Sequence, residues 1–161
     1  GRVAEAIADY DRAIALHPDF AEAHCNRGVA FLMLNQLDQA LACYDRTLEV
    51  RPNHIEALYN RGHALESVKR YIDALAAYDQ ALAVRPEFPE AACNRGNVLR
   101  ELRQYDAALT SYDRAIALRP DFAEAYSNRG MILHELKRPT EALESYERAL
   151  TLSDDSSDDD T

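Results

Sequence analysis

The chain has 161 residues with 47% hydrophobic and 29% charged residues, 5 Gly and 6 Pro, which is the composition of a folded, helix-leaning chain. Its net charge is −10; five of the 28 acids lie beyond Ser153, leaving 23 acids against 18 bases in the body. An acidic body excludes the basic stripe that a phosphate backbone demands, and no apolar run is long enough to span a bilayer, so neither nucleic acid nor membrane is expected as a partner.

The three cysteines, Cys25, Cys43 and Cys93, form no C-x-x-C pair and have no histidine at metal-ligand sequence spacing. No metal or cofactor site is therefore predicted. The odd count and the absence of a signal-peptide pattern imply reduced thiols and a cytoplasmic location. Gly1 opens directly into helical sequence, as a piece of something longer would.

One period organises everything that follows. Asn-Arg-Gly begins at Asn26, Asn60, Asn94 and Asn128, in steps of 34 residues. Pro18, Pro52, Pro86 and Pro120 keep the same register, as do Tyr10, Tyr44, Tyr78, Tyr112 and Tyr146, and Ala6, Ala40, Ala74, Ala108 and Ala142.

In chain order, residues 1–20 read as the second helix of a truncated unit, with Val3, Ile7, Tyr10 and Ile14 on one stripe. Units 21–54, 55–88, 89–122 and 123–152 follow, each of two helices. The first helix of a unit carries the small residue (Gly28, Gly62) and the apolar pair Phe31 and Leu34, or Leu65 and Val68. Gly in a helix costs about 1 kcal/mol relative to Ala, so a close approach is predicted there. The second helix carries Leu37, Ala40, Leu41, Tyr44 and Leu48, a stripe of period 3.6. Neither helix can bury its stripe alone, so neighbours must stack.

Proline ends each second helix, and Asp19 with Glu22, Asn53 with Glu56 and Asp121 with Glu124 suggest capping boxes that restart the chain. Ser153–Thr161 is acidic and low in complexity, and is expected to be a disordered, solvated tail; the alternative is a target for acidophilic kinases, since its serines precede acids.

Gly28, Phe31, Ala40, Tyr44 and Pro52 stand at the signature positions of the tetratricopeptide repeat family, which the pattern resembles over residues 1–152. Thr47 departs from the small Ala found at Ala13, Ala81, Ala115 and Ala149. Arg27, Arg61, Arg95 and Arg129 stand where that family places an aliphatic residue. The resemblance implies an all-α, right-handed superhelical solenoid of antiparallel helix pairs, here nine helices folding as one cooperative piece. Its first helices would line a concave groove.

No catalytic constellation is visible, since His17, His24, His54, His63 and His134 scatter over different repeat positions. The expectation is a non-catalytic scaffold. Asn26, Asn60, Asn94 and Asn128 fall on the first helices and are predicted to form an amide ladder that holds an extended peptide backbone. The alternative is that each amide bonds a neighbouring repeat and sets stacking. Phe20–Asn26 is similar to the repeats of protein O-GlcNAc transferases, whose inner face is such a ladder; no glycosyltransferase catalytic domain is present. Tyr59, His63, Asn97 and Arg100 are the variable groove positions. Glu22, Glu56, Glu90 and Glu124 read as capping residues. Cys25 and Cys93 share a position with Tyr59 and Ser127, which reads as polar surface. A chaperone-tail carboxylate clamp lacks its cations, because Glu22, Cys25, Val29, Glu56, Tyr59 and His63 occupy those sites.

Each repeat arginine has an acid in register, among Asp11, Asp45, Asp79, Asp113 and Glu147, so a ladder of inter-helix ion pairs is expected, and charge reversal at Asp79 should destabilise the array. Apolar residues on helix 1–16 and at Leu143, Tyr146 and Leu150 lack a covering helix. End-to-end self-association is expected from them, and a structural self-assembly module is the alternative function.

Overall fold

The computed structural model describes residues 2–158, and among these it contains nine α-helices and no strand. They are α1 (Arg2–Leu16), α2 (Ala21–Met33), α3 (Leu37–Val50), α4 (Ile55–Ser67), α5 (Tyr71–Val84), α6 (Pro89–Glu101), α7 (Tyr105–Leu118), α8 (Ala123–Glu135) and α9 (Pro139–Asp158). The chain divides into two compact units, Gly1–Arg85 and Pro86–Thr161.

In the first unit each helix packs on the next from α1 to α5, and the first helices of successive hairpins, α2 and α4, also touch. The second unit repeats this from α6 to α9, with α6 against α8. Within each unit, among the described residues, helices thus contact near neighbours in sequence, as the 34-residue period requires.

Within each hairpin the core is a glycine facing a tyrosine. A Cβ added at Gly28 would lie 2.7 Å from Cε1 of Tyr44, and the corresponding distances are 2.7 Å for Gly62 on Tyr78 and 2.6 Å for Gly96 on Tyr112. Tyr44, Tyr78 and Tyr112 are fully buried, and Ala40, Ala74 and Ala108 beside them are sealed as well. The close approach predicted from glycine is therefore a ring laid against helix backbone.

The turns inside the hairpins use chemistry that the sequence did not advertise. Asn35, Lys69, Arg103 and Lys137 adopt φ of 56–61°. The following N–H reaches back five residues, as in Gln36 N to Phe31 O at 2.9 Å and Gln104 N to Leu99 O at 2.9 Å. This is the Schellman closure, ordinarily served by glycine; a residue with a Cβ carries about 1 kcal/mol of strain there. The turns between hairpins are set by proline: Arg51, Arg85 and Arg119 each precede one and are extended, at φ −136°, −129° and −139°.

Two expectations are corrected. The capping boxes do not form: the residue before α2, α6 and α8 is Phe20, Phe88 or Phe122, which makes no side-chain cap bond. Asp19 and Glu22 instead bind Arg46 at 2.6 Å and Arg51 at 2.5 Å. Glu90 binds Arg119 in the same register. The arginine brings a full positive charge to each carboxylate, and at Glu22 the backbone N–H and Arg51 together lower the carboxyl pKa. The tail, expected to be disordered from Ser153, is helical to Asp158, while Asp159, Asp160 and Thr161 lie outside the described residues. The reason is local: Arg-Pro ends α3, α5 and α7, whereas Ser153-Asp154 holds that register in α9 and nothing there blocks the helix. The Ser153 hydroxyl donates to Ala149 O at 2.9 Å.

The arginine ladder is present in both units. Arg27 pairs with Asp11 at 2.6 Å, Arg61 with Asp45 at 2.6 Å and Arg129 with Asp113 at 2.7 Å. Each arginine also reaches forward into its own hairpin where a partner exists, Arg27 Nε to Cys43 Sγ at 3.3 Å and Arg129 Nη1 to Ser145 Oγ at 2.7 Å. One side chain thereby ties three consecutive helices. Because the guanidiniums are about three-quarters buried but the carboxylates are half exposed, the pair is worth about 1 kcal/mol, the upper end for surface pairs. Asp113→Arg is expected to lower the melting temperature by a few degrees in a thermal scan; an unchanged temperature would remove the ladder from the stability argument.

Candidate functional site

Unit by unit, the first helices carry the predicted residues. On α2, Asn26 is exposed, and on α4, Asn60 is half-buried, with His63 exposed one turn on. Neither Asn26 nor Asn60 makes a side-chain hydrogen bond among the described residues. Tyr59 is partly spent on packing, with its ring 6.0 Å from that of Tyr78 and tilted by 55°.

The second unit treats the same positions differently. Asn94, Asn97 and Arg100 lie along α6, all half-buried. Asn97 Oδ1 accepts from Tyr112 Oη at 2.8 Å and from Asn128 Nδ2 at 3.0 Å, so α6, α7 and α8 meet at one amide. Asn97 is therefore a node of the packing, and Asn128 is half committed to stacking. The difference has a simple origin. The position of Asn97 is held by Val29 in the first hairpin, whose side chain can accept nothing, so among the described residues Asn60 in the next hairpin keeps its amide available. Arg100 lies 3.2 Å from Glu101.

The tyrosine hydroxyls follow the same logic. Tyr78 donates to Glu66 at 3.0 Å and Tyr112 to Asn97, but in the first hairpin those positions are Leu32 and Val29. Among the described residues the Tyr44 hydroxyl is buried without a hydrogen-bond partner, and burial raises its pKa. Two hydroxyls that the period hides are also buried and used: Ser111 Oγ accepts from Arg95 at 2.7 Å, and Thr47 Oγ1 donates to Cys43 O at 2.9 Å. That bond explains how Thr47 is tolerated where the pattern calls for alanine.

Cys25 and Cys93 are buried at 1% and 0% exposure, correcting their reading as polar surface. The position faces the neighbouring helices, and a thiol fills it as a small hydrophobe. Burial pushes the Cys25 thiol up to about 12, with the Glu56 and Glu22 carboxylates adding to the effect. His24 is buried and donates from Nε2 to Pro18 O at 2.8 Å, and His54 Nδ1 caps α4 by accepting from Ala57 N at 3.3 Å. Two of the five histidines thus have structural work, and the described helices include none long and apolar enough to cross a membrane.

Paired helices repeating every 34 residues, a glycine–tyrosine core and Pro-ended second helices define a helical-repeat scaffold. Tetratricopeptide-repeat family profiles match residues 1–35, 21–54, 55–88 and 93–157. The chain belongs to the tetratricopeptide repeat family. Among solved structures it is similar to a crystal structure of MamA, at 20% identity and TM-score 0.90, covering 94% of this chain and 89% of that one. It is likewise similar to MamA residues 41 to the end from Desulfovibrio magneticus RS-1, at 22% identity and TM-score 0.90, covering 96% and 88%. These likenesses carry the all-α, hairpin-repeat fold and nothing finer. No curated protein matches the chain.

Proposed function

We propose that the chain is a non-catalytic protein-interaction scaffold whose first-helix faces hold an extended peptide through side-chain amides. The observation that carries this reading is the pair Asn26 and Asn60, which present amides from α2 and α4 with no internal hydrogen bond among the described residues. An amide offers two donors and an acceptor, matching the N–H and C=O that every peptide residue carries. Successive hairpins space these amides along a line, so recognition falls on backbone and places little demand on ligand sequence. The second unit carries its own amides, Asn94 and Asn128, the latter with one N–H already given to Asn97. His63 and Arg100 flank the amides and would tune which side chains are accepted.

The test is enrichment from a library of extended peptides by wild type and by Asn26→Ala/Asn60→Ala. The double variant is expected to lose at least tenfold in binding while keeping its melting temperature, because neither amide bonds within the protein. Asn128→Ala should lower the melting temperature as well. Binding undiminished in the double variant would refute the amide reading.

A second reading, self-assembly, draws on the open side of α8 and α9. Leu143 and Leu150 are 57% and 64% exposed, and a recess of about 360 Å³ lies beside Tyr146, Ala149 and Leu150. If no peptide is enriched and the sedimentation coefficient instead climbs with protein concentration, this second reading replaces the first.

A further inference from the structure

We propose that Cys25, His54 and Glu56 form a binding site for a borderline divalent cation, with Zn²⁺ the best match. Cys25 is 29 residues from His54 and 31 from Glu56, and meets them because α2 and α4 lie side by side. One ligand atom from each falls within 4.8 Å of the other two. A sulfur, an imidazole nitrogen and a carboxylate oxygen form the mixed donor set that Zn²⁺ takes in tetrahedral sites, with bonds of about 2.0–2.3 Å. Such bonds put ligand atoms about 3.3–3.8 Å apart, so the cluster must contract by roughly 1 Å. Glu56 is exposed and His54 half-buried, so both can turn toward Cys25, which is locked in the core.

The surroundings favour a cation. Glu22 adds a second carboxylate field at the thiol, although its own oxygen is held by Arg51 at 2.5 Å. That leaves water as the fourth ligand, entering past exposed Glu56. The protein also contains its own control. Cys93 occupies the register of Cys25 in the second unit, and Glu124 that of Glu56, but Phe122 stands where His54 would be. A thiol and a carboxylate recur there without the imidazole, and no comparable cluster forms among the described residues. Loading the site asks one thing of the fold. If the metal binds Nδ1, His54 must release the 3.3 Å bond from Ala57 N that now caps α4. On binding, Cys25 loses its proton to solvent and becomes the thiolate ligand, so uptake releases acid. The ion would then staple α2 to α4, the two helices that carry Asn26 and Asn60.

The experiment is titration of the reduced, full chain with Co²⁺ followed by displacement with Zn²⁺. The expected result is one equivalent of Co²⁺ producing a sulfur-to-cobalt charge-transfer band, bleached by Zn²⁺, together with a melting temperature that rises with Zn²⁺ concentration. Both signals should vanish in Cys25→Ser and in His54→Asn, and both should persist in Cys93→Ser. His54→Asn keeps an acceptor at the α4 cap, so it carries the test even if Cys25→Ser fails to fold. Absence of the band in wild type, or its survival in either Cys25→Ser or His54→Asn, overturns the proposal.

Discussion

Tyr112→Ala is expected to cost about 3–5 kcal/mol, measured as a fall in the denaturation midpoint with an unchanged slope. The ring is fully buried and fills the space above Gly96, which has no side chain to relax into the void. Removing it also strands Asn97 Oδ1 with Asn128 as its remaining donor. The hydroxyl can be separated from the ring by comparing two phenylalanine variants. Tyr112→Phe should cost about 1 kcal/mol, the worth of a hydrogen bond to Asn97. Tyr44→Phe should be neutral or stabilising, because the Tyr44 hydroxyl is buried with nothing to bond. Equal losses in the two variants would mean that the hydroxyl network contributes nothing specific.

The converse substitution, Gly96→Ala, is expected to destabilise by about 1–3 kcal/mol even though alanine is the better helix former by about 1 kcal/mol. The new methyl would sit 2.6 Å from Cε1 and 2.8 Å from Cδ1 of Tyr112, well inside contact distance. The ring cannot swing away, since its hydroxyl is fixed at Asn97 and its faces are enclosed. The two changes should couple. In the double variant Gly96→Ala/Tyr112→Ala the methyl meets no ring, so the total loss should fall below the sum of the single losses. A strictly additive cycle would show that the glycine is tolerated for some reason other than the tyrosine. A gain in stability for Gly96→Ala alone would show that helix propensity outweighs the contact.

Much of this chain is legible from its residues in order. The 34-residue register of Gly28, Tyr44 and their successors dictates hairpins, because a period-3.6 stripe that cannot bury itself must find its neighbour. The same register places an acid within reach of each repeat arginine, and the pairs that form, Arg27 with Asp11 and Arg129 with Asp113, come from that set. Local chemistry also set the ends of α3, α5 and α7 through Arg-Pro, and its absence lets α9 run on to Asp158.

What the register could not decide is which repeated residue has a partner, because that depends on a second position across the stack. Asn60 and Asn128 open the same Asn-Arg-Gly motif, yet of the two only Asn128 meets an acceptor, since its neighbour across the helices is Asn97 where Asn60 has Val29. The acids Glu22 and Glu90 looked like caps for their own helices, but three-dimensional packing also brings each an arginine, Arg51 and Arg119, from the far end of its own hairpin. The meeting of Cys25 with His54 and Glu56 belongs to the same class, invisible to sequence spacing because α3 intervenes between them. Periodicity along the chain determines which elements form and how they pair; only the packed structure decides which polar atoms are satisfied and which remain to bind something else.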